Sequence, residues 1–338
     1  VGIAREAKGF VLAGDAHSTS KTLQEGLMPP LASVDIGSNT LRLFIAEGWT
    51  SGPLKPIRVE RRITRLGERF LPARILQPPA MARSIAALRE FARLMAENGV
   101  QDYLAAATAV VREAGNGAEF LRRVEEEAGL RVRLLRGTEE AELALRGAAL
   151  VMAGGGDSIA LFDIGGGSTE LIRQVPGGSP GVESVSLPIG VVHLTETFLR
   201  ADPPGLEACA RLVGHVRAIL ETVTFAAPMD QLLWVGTAGT VTTLAAMYLE
   251  LQHYDPDRIN GVVLGRSWLV DLCNRLADTP VAARRGIVGL EPGREDIILA
   301  GALVTLELME TFRFSRLTVS DAGLLEGLFL ELCRPAGR

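Results

Sequence analysis

Two aspartates stand at the same place in two matching segments. One runs Asp35-Ile36-Gly37-Ser38-Asn39-Thr40 and the other Asp163-Ile164-Gly165-Gly166-Gly167-Ser168, each after an apolar run. Small residues leave successive backbone N–H groups open, and such a turn makes an anion-binding concavity. A carboxylate beside a phosphate repels it unless a divalent cation lies between them. Mg2+ suits that position, because it takes one or two carboxylates and fills its other sites with phosphate oxygens and water. Asp35 and Asp163 are therefore expected to hold a metal. Gly37, Ser38, Asn39, Thr40, Gly165, Gly166, Gly167 and Ser168 are expected to hold phosphate. The plainer alternative is that each aspartate accepts N–H bonds from its own turn. The glycines are expected to supply a left-handed backbone, which only Gly adopts without cost.

A third loop, Gly236-Thr237-Ala238-Gly239-Thr240, falls where a strand gives way to a helix. The helix dipole adds to N–H donation there, so Gly236, Gly239 and Thr240 join the phosphate set. Glu140 is the candidate base. It sits in the first turn of an expected helix, where the ionised form is favoured, and an ionised carboxylate can orient and deprotonate a water. Acidic residues in a first turn are also common as plain surface charges. Glu170 accepts from the same water or ties down a loop. Lysine occurs only at positions 8, 21 and 55, so the basic side chains are nearly all arginine. Arginine forks bind phosphate oxygens in pairs. Arg112, shortly after a strand ending at Thr108, ranks first among them and Arg294 next. Arg42, Arg61, Arg62 and Arg65 also fall near loops, and Arg42 and Thr108 are counted as phosphate-binding.

These side chains need strands ending at a shared cleft. Each Asp-Ile-Gly segment reads as a β-hairpin, over 32–45 and 159–172. Met81, Ile85, Leu88, Phe91 and Met95 fall at helical spacing, with Gly99 as the stop. Strands are expected over Tyr103–Ala107 and Val132–Leu135. Asn116-x-x-Glu119 reads as a capping-box start, and Thr138 as the N-cap of the helix carrying Glu140. The second half reads as a strand near 183–187, helices near 190–199 and 206–222, and a strand-loop-helix at 232–250. Helices near 267–277 and 294–311, a strand at 317–321 and a helix at 322–332 follow. Strands mixed with helices indicate an α/β fold with mixed sheets. The repeated hairpin indicates two related domains facing each other.

With 338 residues, 47% hydrophobic and 22% charged, the chain can fill two cores. A net charge of −5 argues against nucleic acid and anionic membranes as partners. Cys209, Cys273 and Cys333 are odd in number and far apart, which predicts buried thiols in a reducing cytoplasm. The uncharged stretch 231–249 is too broken by its glycines to cross a membrane. Residues 1–30 lack the pattern of a secretory signal and read as a flexible lead-in. No Gly-x-x-x-x-Gly-Lys-Ser/Thr is present, which excludes a P-loop NTPase. A dinucleotide site is disfavoured because no Gly-x-Gly-x-x-Gly follows a strand with a suitably placed acid.

From about residue 32 to 332 the chain resembles the exopolyphosphatase / guanosine pentaphosphate phosphohydrolase family, within the actin, sugar kinase and Hsp70 ATPase superfamily. The resemblance is carried by Asp35-Ile-Gly-Ser-Asn39-Thr-Leu-Arg42, Thr64-Arg-Leu-Gly-Glu68, Ala107-Thr-Ala-Val-Val-Arg112, Gly137-Thr-Glu-Glu140-Ala and Asp163-Ile-Gly-Gly-Gly-Ser-Thr-Glu170. Ser186-Leu-Pro-Ile-Gly190, Gly236-Thr-Ala-Gly-Thr240, Tyr254-Asp-Pro-Asp-Arg258 and Ser320-Asp-Ala-Gly323 extend it. It implies two actin-like (ribonuclease H-like) domains flanking a central cleft. These would comprise 31–138 with 322–338, and 139–321. It also implies hydrolysis of a terminal phosphate from polyphosphate or guanosine pentaphosphate, a Mg2+ requirement, Glu140 as catalytic base, and a cytoplasmic homodimer. Glu142 stands where the family often has Arg, and Ala238 where many members have Gly. The chain has four histidines and no His-Asp pair, so it resembles the short form that lacks an HD-type domain. Two rivals are a kinase or ATPase of the same superfamily and a non-catalytic sensor of the guanosine alarmone.

Overall fold

A computed structural model describes residues 29–48, 54–151, 159–174, 181–225 and 232–334. The expected lead-in therefore lies outside the described residues as far as residue 28. The first half runs β1 (Pro30–Ile36), β2 (Thr40–Glu47), β3 (Pro56–Ile63), α1 (Pro78–Glu97), β4 (Asp102–Ala107), α2 (Ala109–Glu113), α3 (Gly117–Ala128), β5 (Val132–Leu134) and α4 (Gly137–Ala149). The second begins β6 (Ile159–Ile164), β7 (Thr169–Gln174), β8 (Val182–Leu187), α5 (Val191–Phe198), α6 (Gly205–Leu220), β9 (Leu233–Thr237) and α7 (Ala238–Tyr248). It ends α8 (Pro256–Ile259), β10 (Val263–Gly265), α9 (Arg266–Ala277), α10 (Val281–Arg284), α11 (Ile298–Thr311), β11 (Arg316–Val319) and α12 (Leu324–Leu332).

Two mixed sheets form, in the orders β3-β2-β1-β4-β5 and β10-β11-β9-β6-β7-β8. In each, a hairpin and a third antiparallel strand lie on one side, and parallel strands lie on the other. The second sheet repeats the first, with β10 added at one edge. The predicted α/β architecture is therefore present. Leu43, Phe91 and Phe120 fill the core between the first sheet and helices α1 and α3. Phe162, Leu244 and Leu303 belong to the larger core of the second sheet. The stretch at 231–249 breaks where expected, into β9 and α7, and no helix among the described residues is long and apolar enough to cross a membrane.

Several local expectations fail for visible reasons. Arg136, not Thr138, holds the N-cap position of α4, and no side chain caps it. Asn116 precedes α3 without capping it, because its amide is committed to Leu76, accepting from the backbone N and donating to the backbone O at 2.9 Å each. The helix read from 294 begins at Ile298, after a turn in which Ile298 N–H donates to Arg294 O.

Helices α4 and α12 pack backbone to backbone, and α12 packs in turn on β1, where Ser33 Oγ donates to Leu325 O at 2.7 Å. Glycine permits the approach. A Cβ on Gly147 would lie 1.8 Å from Gly323 O, and one on Gly327 would lie 1.9 Å from Leu143 O. This stack fixes α4, and with it Glu140, against the first sheet. Gly147→Ala should lose about 2–3 kcal/mol in denaturant unfolding, since overpacking a closed contact forces backbone shifts. Gly214→Ala, on the exposed side of α6 with nothing within 4 Å, should instead gain roughly 0.5–1 kcal/mol from helix propensity.

Candidate active site

The two Asp-Ile-Gly turns close identically. Gly37 N–H donates to Thr40 O at 3.1 Å, and Gly165 N–H donates to Ser168 O at 2.9 Å. They also face each other. A Cβ on Gly166 would lie 3.1 Å from Asn39 Cβ, and one on Gly167 would lie 2.7 Å from Ser38 Oγ. These glycines are thus required by close approach. The expected left-handed backbone is not their reason, because none of Gly37, Gly165, Gly166, Gly167, Gly236 or Gly239 has positive φ. The residue of the third loop that does is Ala238, at φ 65°.

A crevice of about 90 Å³ lies between the loops. Asp35, Asp163, Glu140, Glu170, Arg42, Thr108 and Arg294 line it, with both hairpin turns, Gly239 and Thr240. Two expected residues are elsewhere. Gly236 leaves room on β9 for the Phe162 ring, which a Cβ would meet at 3.0 Å. Arg112 turns toward α4, donating to Leu135 O at 2.7 Å and to Glu140 Oε2 at 3.4 Å. It positions Glu140 from behind. Glu142 is not on the wall either and lies 3.8 Å from Arg146.

Charge is distributed unevenly along the crevice. The register pairs Asp35 with Arg42 in the first hairpin and Asp163 with Glu170 in the second, so equivalent positions carry opposite charge. Arg42 faces Asp321 O at 3.5 Å and Glu326 at 3.8 Å. Arg61 lies 3.0 Å from Glu291 and stacks over Tyr254, whose hydroxyl donates to Asp321. Arg294 pairs with Glu291 and donates to Thr40 Oγ1 at 3.3 Å. One end is therefore lined by three arginines, each with a carboxylate partner. At the other, Glu170 Oε1 accepts from Ser168 and Ser186, and Glu140 neighbours it. Among these groups, sequence spacing pointed to neither the Arg61–Glu291–Arg294 brace nor Glu326. The Tyr254 motif was recognisable only through resemblance.

Burial raises the pKa of all four carboxylates. Asp35 rises to about 6, burial outweighing the opposing charge of Arg42. Asp163 rises to about 8, through burial and then the charges of Glu170 and Asp35. Glu140 is raised well above its usual range by burial, then by Glu170 and Asp163, with Arg112 opposing. Glu170 is raised by burial, with the Ser168 and Ser186 hydroxyls opposing. Asp35 Oδ1, Asn39 Oδ1 and Arg42 Nε are buried and without a hydrogen-bond partner. Such atoms are costly unless a ligand satisfies them. Asp35 and Asp163 could hold a hard cation. Among the described residues no three His, Cys, Asp or Glu side chains form a complete cage, so further ligands would come from phosphate oxygens and water.

The Ppx/GppA phosphatase family profile matches residues 45–335. Exopolyphosphatase 2 of Mycobacterium tuberculosis is 33% identical over 315 residues, covering 89% of this chain and 98% of that protein. Exopolyphosphatase 1 of Mycobacterium leprae is 30% identical over 307 residues, covering 89% and 88%. The crystal structure of the Aquifex aeolicus member of the Ppx/GppA family superposes with a TM-score of 0.75 at 36% identity, covering 92% of this chain and 100% of that one. Two mixed sheets that repeat one strand order border a crevice walled by four carboxylates. The chain belongs to the Ppx/GppA phosphatase family.

Two measurements check the geometry. Asp35 and Asp163 start from an ordinary value of 3.8 when unfolded. With raised folded values, the native state binds more protons than the unfolded one between that value and about 8. Their contribution to stability is then full below about pH 4 and is lost as pH rises through about 6 and 8. Metal-free protein should lose denaturant stability over that window, and an Asp163→Asn variant should lose less. At Ala238, replacement by glycine should stabilise by up to about 1 kcal/mol, because a left-handed alanine costs roughly 1–2 kcal/mol and glycine's extra unfolded-state entropy returns part of it. Thermal unfolding reads this directly.

Proposed function

We propose that the protein is a Mg2+-dependent phosphohydrolase that removes the terminal phosphate of inorganic polyphosphate or guanosine pentaphosphate. The observation that carries this reading is the meeting of two phosphate-type turns across one crevice walled by Asp35, Asp163, Glu140 and Glu170. Polyphosphate is the favoured substrate. The matched relatives include exopolyphosphatases, and the described crevice wall has no aromatic side chain to stack on a base.

In this reading Glu140 holds a water against the terminal phosphorus. The water oxygen bonds to phosphorus, and the bridging P–O bond breaks with its electron pair going to the shortened chain. The water's proton passes to the ionised Glu140; burial and the neighbouring carboxylates raise its pKa, so it holds that proton more firmly than an exposed carboxylate would. Arg112 keeps Glu140 aimed. The N–H groups of the Gly37–Thr40 and Gly165–Ser168 turns, with Arg42 and Arg294, hold the phosphoryl oxygens, since phosphoryl transfer needs mainly positioning and charge stabilisation. Asp35 and Asp163 would hold Mg2+, which when bound would supply charge neutralisation to the phosphate oxygens. The unpartnered Asp35 Oδ1 fits that role.

Phosphate release should occur from polyphosphate with Mg2+ and not without it. Release from ATP alone would point to a kinase or ATPase instead. Glu140→Gln should lower kcat by at least about 100-fold, the usual scale of general-base catalysis, while polyphosphate binding changes by less than about threefold. Equal loss of binding and turnover would remove Glu140 from the role of base.

A further inference from the structure

Glu170 is the common wall of two cavities. On one side its side chain lines the crevice, and on the other it lines a second cavity of about 330 Å³, bounded by Arg136, Thr138, Ser184 and Ser186. Its Oε1 is held from both sides, accepting from Ser168 at 2.6 Å and from Ser186 at 2.7 Å. Ser168 lines the crevice, whereas Ser186 lines the second cavity. Ser186, Arg136 and Thr138 are exposed, so a single layer of side chains separates the buried carboxylates from bulk water here.

We infer that Glu170 is a door through which released orthophosphate leaves the crevice into this second cavity, while the shortened chain stays bound. The inference rests on polyphosphate being the substrate. A polyanion extends toward Arg42, Arg61 and Arg294 and away from Glu140 and Glu170. The cleaved phosphate is then left between the glutamates and the remaining chain. The chain blocks its way out through the mouth. Departure past Glu170 requires its side chain to rotate and its bonds from Ser168 and Ser186 to re-form. Arg136 and the N-terminal end of α4 draw an anion outward on that side. Such an exit lets the chain advance by one unit without dissociating.

Ser184→Trp fills the outer cavity from β8 and Thr138→Phe fills it from α4, and neither residue lines the crevice. Rapid-mix phosphate release from long polyphosphate should show a first turnover at the wild-type rate. Steady-state release should then fall at least about tenfold, as when product release becomes limiting. Tripolyphosphate should be affected far less, because its pyrophosphate remnant leaves by the mouth and frees the path. Orthophosphate should inhibit the wild type in a way that saturating polyphosphate does not relieve, and filling the cavity should weaken that inhibition. Unchanged steady-state release in both variants would overturn the inference. So would first turnover and steady state slowed alike, which marks a damaged site. A wild-type protein that releases no phosphate from polyphosphate would instead sink the substrate reading, before any variant is compared.

Discussion

Four carboxylates share one buried crevice, and their mutual repulsion is the constraint that the surrounding structure answers. Burial and like charge push Asp163 up to about 8, and Glu140 is raised by the same causes. Two buried like charges are tolerated only with compensating partners. Arg42 supplies one positive charge beside the aspartates, and Arg112 supplies another behind Glu140. The Ser168 and Ser186 hydroxyls satisfy Glu170. Asp35 Oδ1 and Asn39 Oδ1 remain without a hydrogen-bond partner, and both are acceptors that a cation would satisfy. A site held in this state is poised to bind such a ligand, because binding relieves both desolvation and repulsion.

Holding the acids together demands backbone contacts closer than side chains allow. Glycine supplies them twice. Gly166 and Gly167 let the second turn meet Ser38 and Asn39 across the crevice. Gly147 and Gly327 let α4 meet α12, which locks the helix bearing Glu140 to the first sheet. Arginine supplies the opposite edge. Arg65 makes a two-pronged pair with Asp296 at 2.8 and 2.9 Å, and Arg61 reaches Glu291. Both join the segment around β3 to the loop before α11. These contacts hold the sheets near each other on the side where arginines line the crevice.

The repeat is structural but not electrostatic. Both hairpins place an aspartate at the end of the first strand, and the next strand places Arg42 opposite one and Glu170 opposite the other. That single difference gives the crevice a direction. Arginines gather at one end of it, while Glu140 and Glu170 sit at the other.

The amino-acid pattern by itself determined the strands and turns, because Asp-Ile-Gly after an apolar run with small residues behind it has few other ways to fold. It also marked Asp35, Asp163 and Glu170, which stand beside the Gly-rich turns, whereas only resemblance set Glu140 apart from an ordinary first-turn surface charge. Local signals misled where a side chain had a distant partner. Asn116 serves Leu76 rather than its helix, and Arg112 serves Glu140 rather than the crevice wall. The loop glycines were recognised, but their reason was not, since the surface that comes within 3 Å of Gly167 belongs to a residue far away in the chain. Tertiary structure alone decided the orientation of the crevice, the brace of Arg61, Glu291 and Arg294, and the second cavity behind Glu170. Each depends on how two sheets dock, and docking is set by contacts between residues that no local spacing connects.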